Sequence, residues 1–264
     1  MTTTHTPTMP ALFVGHGSPM LALAHDDITR SLSALGQEIR SEYGTPRAIL
    51  MLSAHWYAPA TLVQTTTQPR QIYDMYGFPE PLYNVRYAPK GYLPLSQAIL
   101  SIPELRATPD NTHGIDHGAW TPLVHLFPEA DVPVVQLSIN AHASAQECLR
   151  LGGLLAPLRE QGYLIMGSGN IVHNLRLVEW QNSGGTAQTR EFDRFVVSAV
   201  EQKQYDLLCR YPEHPLASYA VPTPDHFLPL MYVLGAAHEQ DTVTVFNQVY
   251  NLGSMSMTSF LLSH

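Results

Sequence analysis

Cysteine is nearly absent from this chain: Cys148 and Cys209 are the only two in 264 residues, far apart and without a CxxC pair. That excludes a disulfide framework and a cysteine-type zinc site, and Cys148 reads as a small core residue on a helix. Basic residues are also few, 14 Lys and Arg against 22 Asp and Glu for a formal net charge of -8, and they are scattered. Such a chain has no electrostatic stripe for nucleic acid. No apolar run approaches the roughly 20 residues of a membrane span. The opening MTTTHTPTMP has neither the basic region nor the apolar segment of a secretory signal. No Gly/Ser linker, charge block or repeat divides the chain. The expectation is a reduced, soluble, cytoplasmic protein without nucleic-acid or membrane partners, folded as a single domain over residues 1–264 with residues 1–9 flexible.

Phosphate-binding and nucleophile motifs are missing too. GHGSPM has Met20 where a dinucleotide loop carries its third glycine, and no Walker lysine follows a glycine run. GSGN at 167–170 is not a nucleophile elbow, and no ordered Ser, acid and His set accompanies it. Ser168 and Asn170 are left as turn residues or substrate contacts.

Histidine is what the sequence has in excess, with thirteen. Three stretches share one layout. ALFVGHGSPM runs from an apolar segment into His16 between two glycines, AILMLSAHW ends at His55, and YLIMGSGNIVHN ends near His173. An apolar run closing on an imidazole reads as a buried strand that delivers the side chain to its carboxyl end, where open α/β sheets bind ligands.

Between these strands, residues 27–43 place Ile28, Leu32, Leu35 and Ile39 at helical spacing, residues 48–54 form a continuous apolar strand, and residues 61–67 read as another strand. Residues 68–91 are irregular, with Tyr73, Tyr76, Phe78, Tyr83 and Tyr87 among four prolines, suiting either a lid or a plug at the core edge. Further helices are expected over 94–106 with a break at Pro103, from about 118 to 127, over 144–160, over 191–210 and behind Thr223. Strands are expected over 132–139, 163–166, 242–249 and 254–262. The alternation implies an α/β fold, a central, mostly parallel or mixed sheet flanked by helices on both faces, with its site at the carboxyl ends of strands.

Most of the histidines need no special role. His5, His25, His142, His214, His238 and His264 lie in polar or terminal surroundings and read as solvated, and His125, inside LVHLF, as packed in a helix. His16, His55, His117, His173 and His226 differ, since they close apolar strands, sit in glycine-lined loops or head a helix. Several imidazoles converging from separate elements call for a cation. Asp116 and Asp225 adjoin the candidates, and each suits either ligation or orientation of a neighbouring ring. An all-histidine set suits zinc, whereas iron oxygenases usually add a carboxylate.

GHGSPM at 15–20, SAHW at 53–56, GFP and LY within 77–83, DHGAW at 116–120, PVVQLSI at 133–139, GSGNIVHNL at 167–175 and PTPDHFLPLMYVLGA at 222–236 resemble, in order and over nearly the whole chain, the extradiol ring-cleavage dioxygenases of the LigB superfamily, in the DOPA 4,5-dioxygenase branch. The resemblance implies a single catalytic domain with one divalent metal, Fe2+ or Zn2+, on His16, His55 and His226. It places His173 at the metal as acid/base or further ligand, and His117 facing the substrate. It implies a small aromatic diol and O2 as substrates, with the aromatic loop covering the ring. His173 is the expected proton-transfer residue and His117 steadies oxygen or the diol. A zinc-dependent hydrolase or lyase on the same scaffold and a non-catalytic metal-binding protein are the competing readings. A monomer or small homo-oligomer is expected.

Overall fold

The computed structural model describes residues 7–264, so His5 lies outside the described residues. Six strands make one sheet: β1 (Ala11–Gly15), β2 (Ala48–Ser53), β3 (Val134–Gln136), β4 (Tyr163–Gly169), β5 (Thr242–Phe246) and β6 (Ser259–Ser263), in the order β3-β2-β4-β1-β6-β5. The pairs β3-β2, β2-β4 and β4-β1 are parallel, and β1-β6 and β6-β5 antiparallel. The sheet of this α/β domain is therefore mixed, as the alternating carboxyl-terminal pattern suggested.

Alternation along each strand divides the core in two. Leu12 and Val14 of β1, Ile49 and Met51 of β2, and Leu164 and Met166 of β4 pack against helices α1 (Asp27–Glu42) and α2 (His117–Leu126). Phe13, Leu50, Leu52 and Ile165 face α3 (Ala145–Leu155), α4 (Ala187–Glu201) and α5 (Leu228–Gly235) on the other side. Strands buried on both faces read as unbroken apolar runs, which is why β1 and β2 were legible. Helix α1 begins at a capping box between Asp26 and Thr29. Among the described residues no helix is long and apolar enough to cross a membrane.

Several expected elements come out differently. Of the strand expected over 61–67 only Leu62–Val63 pairs, and the run over 132–139 gives β3 and a separate two-residue bridge at Ile139–Asn140. Strand β4 runs on to Gly169, so GSG is strand rather than turn; a side chain at Gly167 would strike α5, its Cβ falling 2.7 Å from Val233 Cγ2. The helix expected over 144–160 ends at Leu155, with a separate turn at Pro157–Glu160. Helix α4 starts at Ala187, capped by Thr186, rather than at Glu191, and stops at Glu201. Residues 1–9 are not loose throughout, because Met9 is buried and its N–H donates to Arg159 O at 3.1 Å. His214 is not simply solvated either, since it packs on Phe195 at 4.5 Å between ring centres and accepts the Leu216 N–H.

Helices α3 and α5 pack at backbone distance. A Cβ on Gly235 would lie 1.9 Å from Leu149 O, whereas one on Gly153 would meet nothing closer than Gly235 O at 3.6 Å. We expect Gly235→Ala to cost roughly 2 kcal/mol or more by prying the helices apart, and Gly153→Ala to be neutral or to gain up to about 1 kcal/mol from helix propensity. Urea titration of the two variants checks this, and equal midpoints would refute the close packing.

Candidate metal centre

The carboxyl ends of β1, β4 and β2 lie level, with Gly15 beside Gly169 and Ser53 beside Ser168. His16 and His55, just beyond β1 and β2, therefore flank the end of β4. His226 reaches the same place from the turn Pro224–His226 ahead of α5. That turn presses on the end of β4: Asn170 N–H donates to His226 O at 2.9 Å, and a Cβ on Gly169 would sit 2.1 Å from the same oxygen. Only glycine admits this approach. One ring nitrogen of each of His16, His55 and His226 lies within 4.8 Å of the others.

Hydrogen bonds behind two of these rings fix their tautomers, and a carboxylate faces the third. Ser168 Oγ donates its one proton to Gly118 O at 2.5 Å, so toward His16 it can only accept, and His16 Nδ1 carries the hydrogen at 3.0 Å. His226 Nδ1 donates to the Asp225 carboxylate. His55 Nδ1 faces Asp74 Oδ2 at 3.5 Å. Nε2 of His16 and of His226 is thereby left with a lone pair, and the Asp74 carboxylate facing His55 Nδ1 favours the same form there, yet His16 Nε2 and His55 Nε2 stand 3.1 Å apart. Two lone pairs at that distance repel unless a cation lies between them. Neighbouring ligands 2.0–2.1 Å from one metal sit about 3.0–3.4 Å apart, so the donor set fits a divalent metal.

Electrostatics agree. Burial first, then repulsion from the other histidines, pushes His16 far below the ordinary imidazole range, and the same causes, burial then His117 and His226, bring His55 down to about 3. The carboxylates around them stay ionised. Burial pushes Asp74 up, but hydrogen bonds from His117 and the charges nearby outweigh it and hold it at about 2. Asp225 is held low against its burial by His226, and Asp116 by His113, His55 and Ser53. Neutral nitrogens ringed by carboxylates suit a cation.

His173 stands differently. Its ring stacks on His226 with centroids 3.6 Å apart and planes 6° from parallel, and its side chain has no hydrogen-bond partner among the described residues. Burial first, then His226, lowers its pKa to about 3. His117 opens α2, with its ring 3.8 Å from that of His55 between centroids, and its Nδ1 donates to Asp74 Oδ2 at 3.0 Å. All five candidate histidines thus meet at one end of the sheet. Asp116 caps α2 and accepts from Ser53 Oγ, Ala119 N, Gln136 Nε2 and His113 Nε2, which occupies both its oxygens behind the site. His125 donates from Nε2 to Leu21 O at 2.8 Å, as a packed helix residue would.

The residue that sequence reading missed is Asp74. It lies in the irregular stretch 68–91, where the aromatics drew attention, and those aromatics mostly anchor the loop: Tyr87 is buried with its hydroxyl donating to Phe127 O, and Tyr73 donates to Val85 O and packs on Trp120. The only local signal was that Asp74 and Glu80 are the sole acids of the stretch.

Comparison with known proteins bears on this geometry. Residues 1–261 match the family described as the catalytic LigB subunit of aromatic ring-opening dioxygenase. A protein named 4,5-DOPA dioxygenase extradiol from Escherichia coli K12 is 38% identical over 260 residues, covering 95% of this chain and 93% of that protein. One of the same name from Beta vulgaris is 33% identical, covering 94% of each. The crystal structure of an uncharacterized protein from Escherichia coli K12 superposes with a TM-score of 0.83 at 34% identity, over 97% of this chain and 100% of that one. With a fold, a histidine cluster and a sequence all of one kind, the chain belongs to the LigB family of aromatic ring-opening dioxygenases.

Proposed function

We propose that this protein opens the ring of a catechol, DOPA or a near relative, with O2 at one divalent metal held by His16, His55 and His226. The observation that supports this most is the convergence of ring nitrogens of His16, His55 and His226 within 4.8 Å of one another, with Nε2 of His16 and of His55 3.1 Å apart. The names of the two relatives support DOPA as the substrate class. When bound, ferrous iron would supply chelation of the two catechol oxygens and electrons for dioxygen, chemistry that zinc supplies only as a Lewis acid.

The chain's own groups do the rest. His173 lies face-on to His226 instead of converging with it, so its free nitrogens suit proton exchange with a catechol hydroxyl better than ligation. His117, steered by Asp74 and beside His55, is suited to contact the diol or the oxygen. The loop carrying Asp74 forms one wall of the site. Free thiols at Cys148 and Cys209 suit a reducing compartment such as the cytoplasm.

Anaerobic reconstitution with ferrous iron, then catechol and air, should give the yellow ring-opened product. His173→Ala should keep the metal and lose about 10²–10⁴ in turnover. Loss of metal in that variant would make His173 a ligand. Ester or amide hydrolysis with zinc, and no reaction of iron with a catechol under oxygen, would replace the proposal by a zinc hydrolase on this scaffold.

A further inference from the structure

Asp74 touches two imidazoles at once. Its Oδ2 lies 3.0 Å from His117 Nδ1 and 3.5 Å from His55 Nδ1, while its Oδ1 accepts the His117 main-chain N–H at 2.9 Å. We propose that Asp74 is the positioning residue of the centre, setting the tautomers of His55 and His117 together so that each presents an unprotonated Nε2 away from the carboxylate. On His55 that atom is the one 3.1 Å from His16 Nε2. On His117 it has no protein partner among the described residues and is left for the substrate. This rests on the reading given under Proposed function and adds a coupling to it: one carboxylate governs both a ligand and a substrate-facing ring.

The geometry favours the coupling. A carboxylate only accepts, so His117 Nδ1 at 3.0 Å carries hydrogen, and at 3.5 Å the same negative oxygen favours hydrogen on His55 Nδ1 over a lone pair facing it. The backbone contact makes the loop and the first turn of α2 move as a unit, because Asp74 grips both the ring and the main chain of His117. His55, Asp74 and His117 are also close enough to hold a second cation, but each Nδ1 would have to give up its proton to do so, and the two uses exclude one another.

Asp74→Asn separates these readings. Among the described residues the His117 main-chain N–H has no other acceptor, so the asparagine oxygen stays with it and the amide NH2 faces the two rings. A donor there demands lone pairs on both Nδ1 atoms, which drives both rings to the Nε2–H form and turns a proton toward His16.

The test is long-range 1H–15N correlation NMR of the imidazoles in the metal-free full-length chain, with single His→Gln variants for assignment. The parent should show Nδ1–H on His55 and His117, and Asp74→Asn should show Nε2–H on both with His214 and His238 unchanged. Should the asparagine variant not fold, Asp74→Ala should show mixed tautomers that return to Nδ1–H with added formate. In parallel, cobalt(II) titration should give one equivalent in the parent and 10–100-fold weaker binding in Asp74→Asn. Unchanged tautomers in Asp74→Asn, Nε2–H rings in the parent, or a second equivalent of metal lost with Asp74 would overturn the proposal. A parent that binds no cobalt while its tautomers behave as described would defeat the metal reading and leave the role of Asp74 in orienting the rings intact.

Discussion

Arg159→Leu is expected to lower stability by about 3–5 kcal/mol, the range for removing one partner of a buried ion pair. That is a large part of the 5–15 kcal/mol by which a domain is usually stable. Arg159 is 0% exposed and spends all five of its N–H groups. Nε donates to Met9 O, Nη1 to Ala236 O and Asp241 Oδ2, and Nη2 to Asp241 Oδ1 and Leu262 O. One guanidinium thus ties the segment before β1, the end of α5 and the last strand to a buried carboxylate. Leucine would leave three carbonyls without this donor and Asp241 with only His264 and the His238 N–H. Lysine should recover little, since it lacks the planar fork. The double variant Arg159→Leu/Asp241→Leu should regain much of the loss, because the uncompensated charge goes with it. Urea denaturation checks each step, and a single-variant cost below about 1 kcal/mol would be incompatible with this network.

Acidification of the metal-free protein should be the second large effect. His55 and His173 are both brought from 6.5 down to about 3 in the folded chain, so the unfolded chain binds their protons first. Their contribution is whole above pH 6.5 and is lost as the pH falls toward 3, at a limiting slope of about 1.4 kcal/mol per pH unit for each. Either alone would cost about 2 kcal/mol at pH 5 relative to pH 7. The losses overlap, because part of the His173 shift is repulsion from a protonated His55. Below pH 4 Asp74, held at about 2 by His117, adds a loss of the same sign. Melting temperature against pH should therefore fall steeply from pH 6.5, and saturating zinc should move that fall to lower pH, since metal and protons compete for the same nitrogens. A flat profile from pH 7 to 5 would mean that the rings are not buried together.

What could be read from residues alone was whatever depends on a few consecutive ones. A strand buried on both faces that stops at histidine carries its whole signal in about eight residues, so β1, β2 and their imidazoles stood out. His226 was visible because Thr223-Pro224-Asp225 opens a helical turn beside it. Asp74 was not visible, because its meaning comes from His117, 43 positions away and across the sheet end. Arg159 lay in a stretch read as an ordinary amphipathic helix, where a lone arginine normally faces water. Asp193, in the charged-looking α4, is likewise buried and accepts from Ser256, Thr258 and Tyr250, all from the far end of the chain. Buried polar groups are chosen by distant partners, and no local period reveals those.

The place of β6 in the sheet has a consequence for biosynthesis. This strand, residues 259–263, lies between β1 and β5, not at an edge. Until it leaves the ribosome, β1 has one flank without a neighbour, and His16 hangs from a half-built support. A nascent chain stalled short of residue 259 would offer that raw flank to any passing strand, so truncated products should aggregate, not assemble a weaker centre.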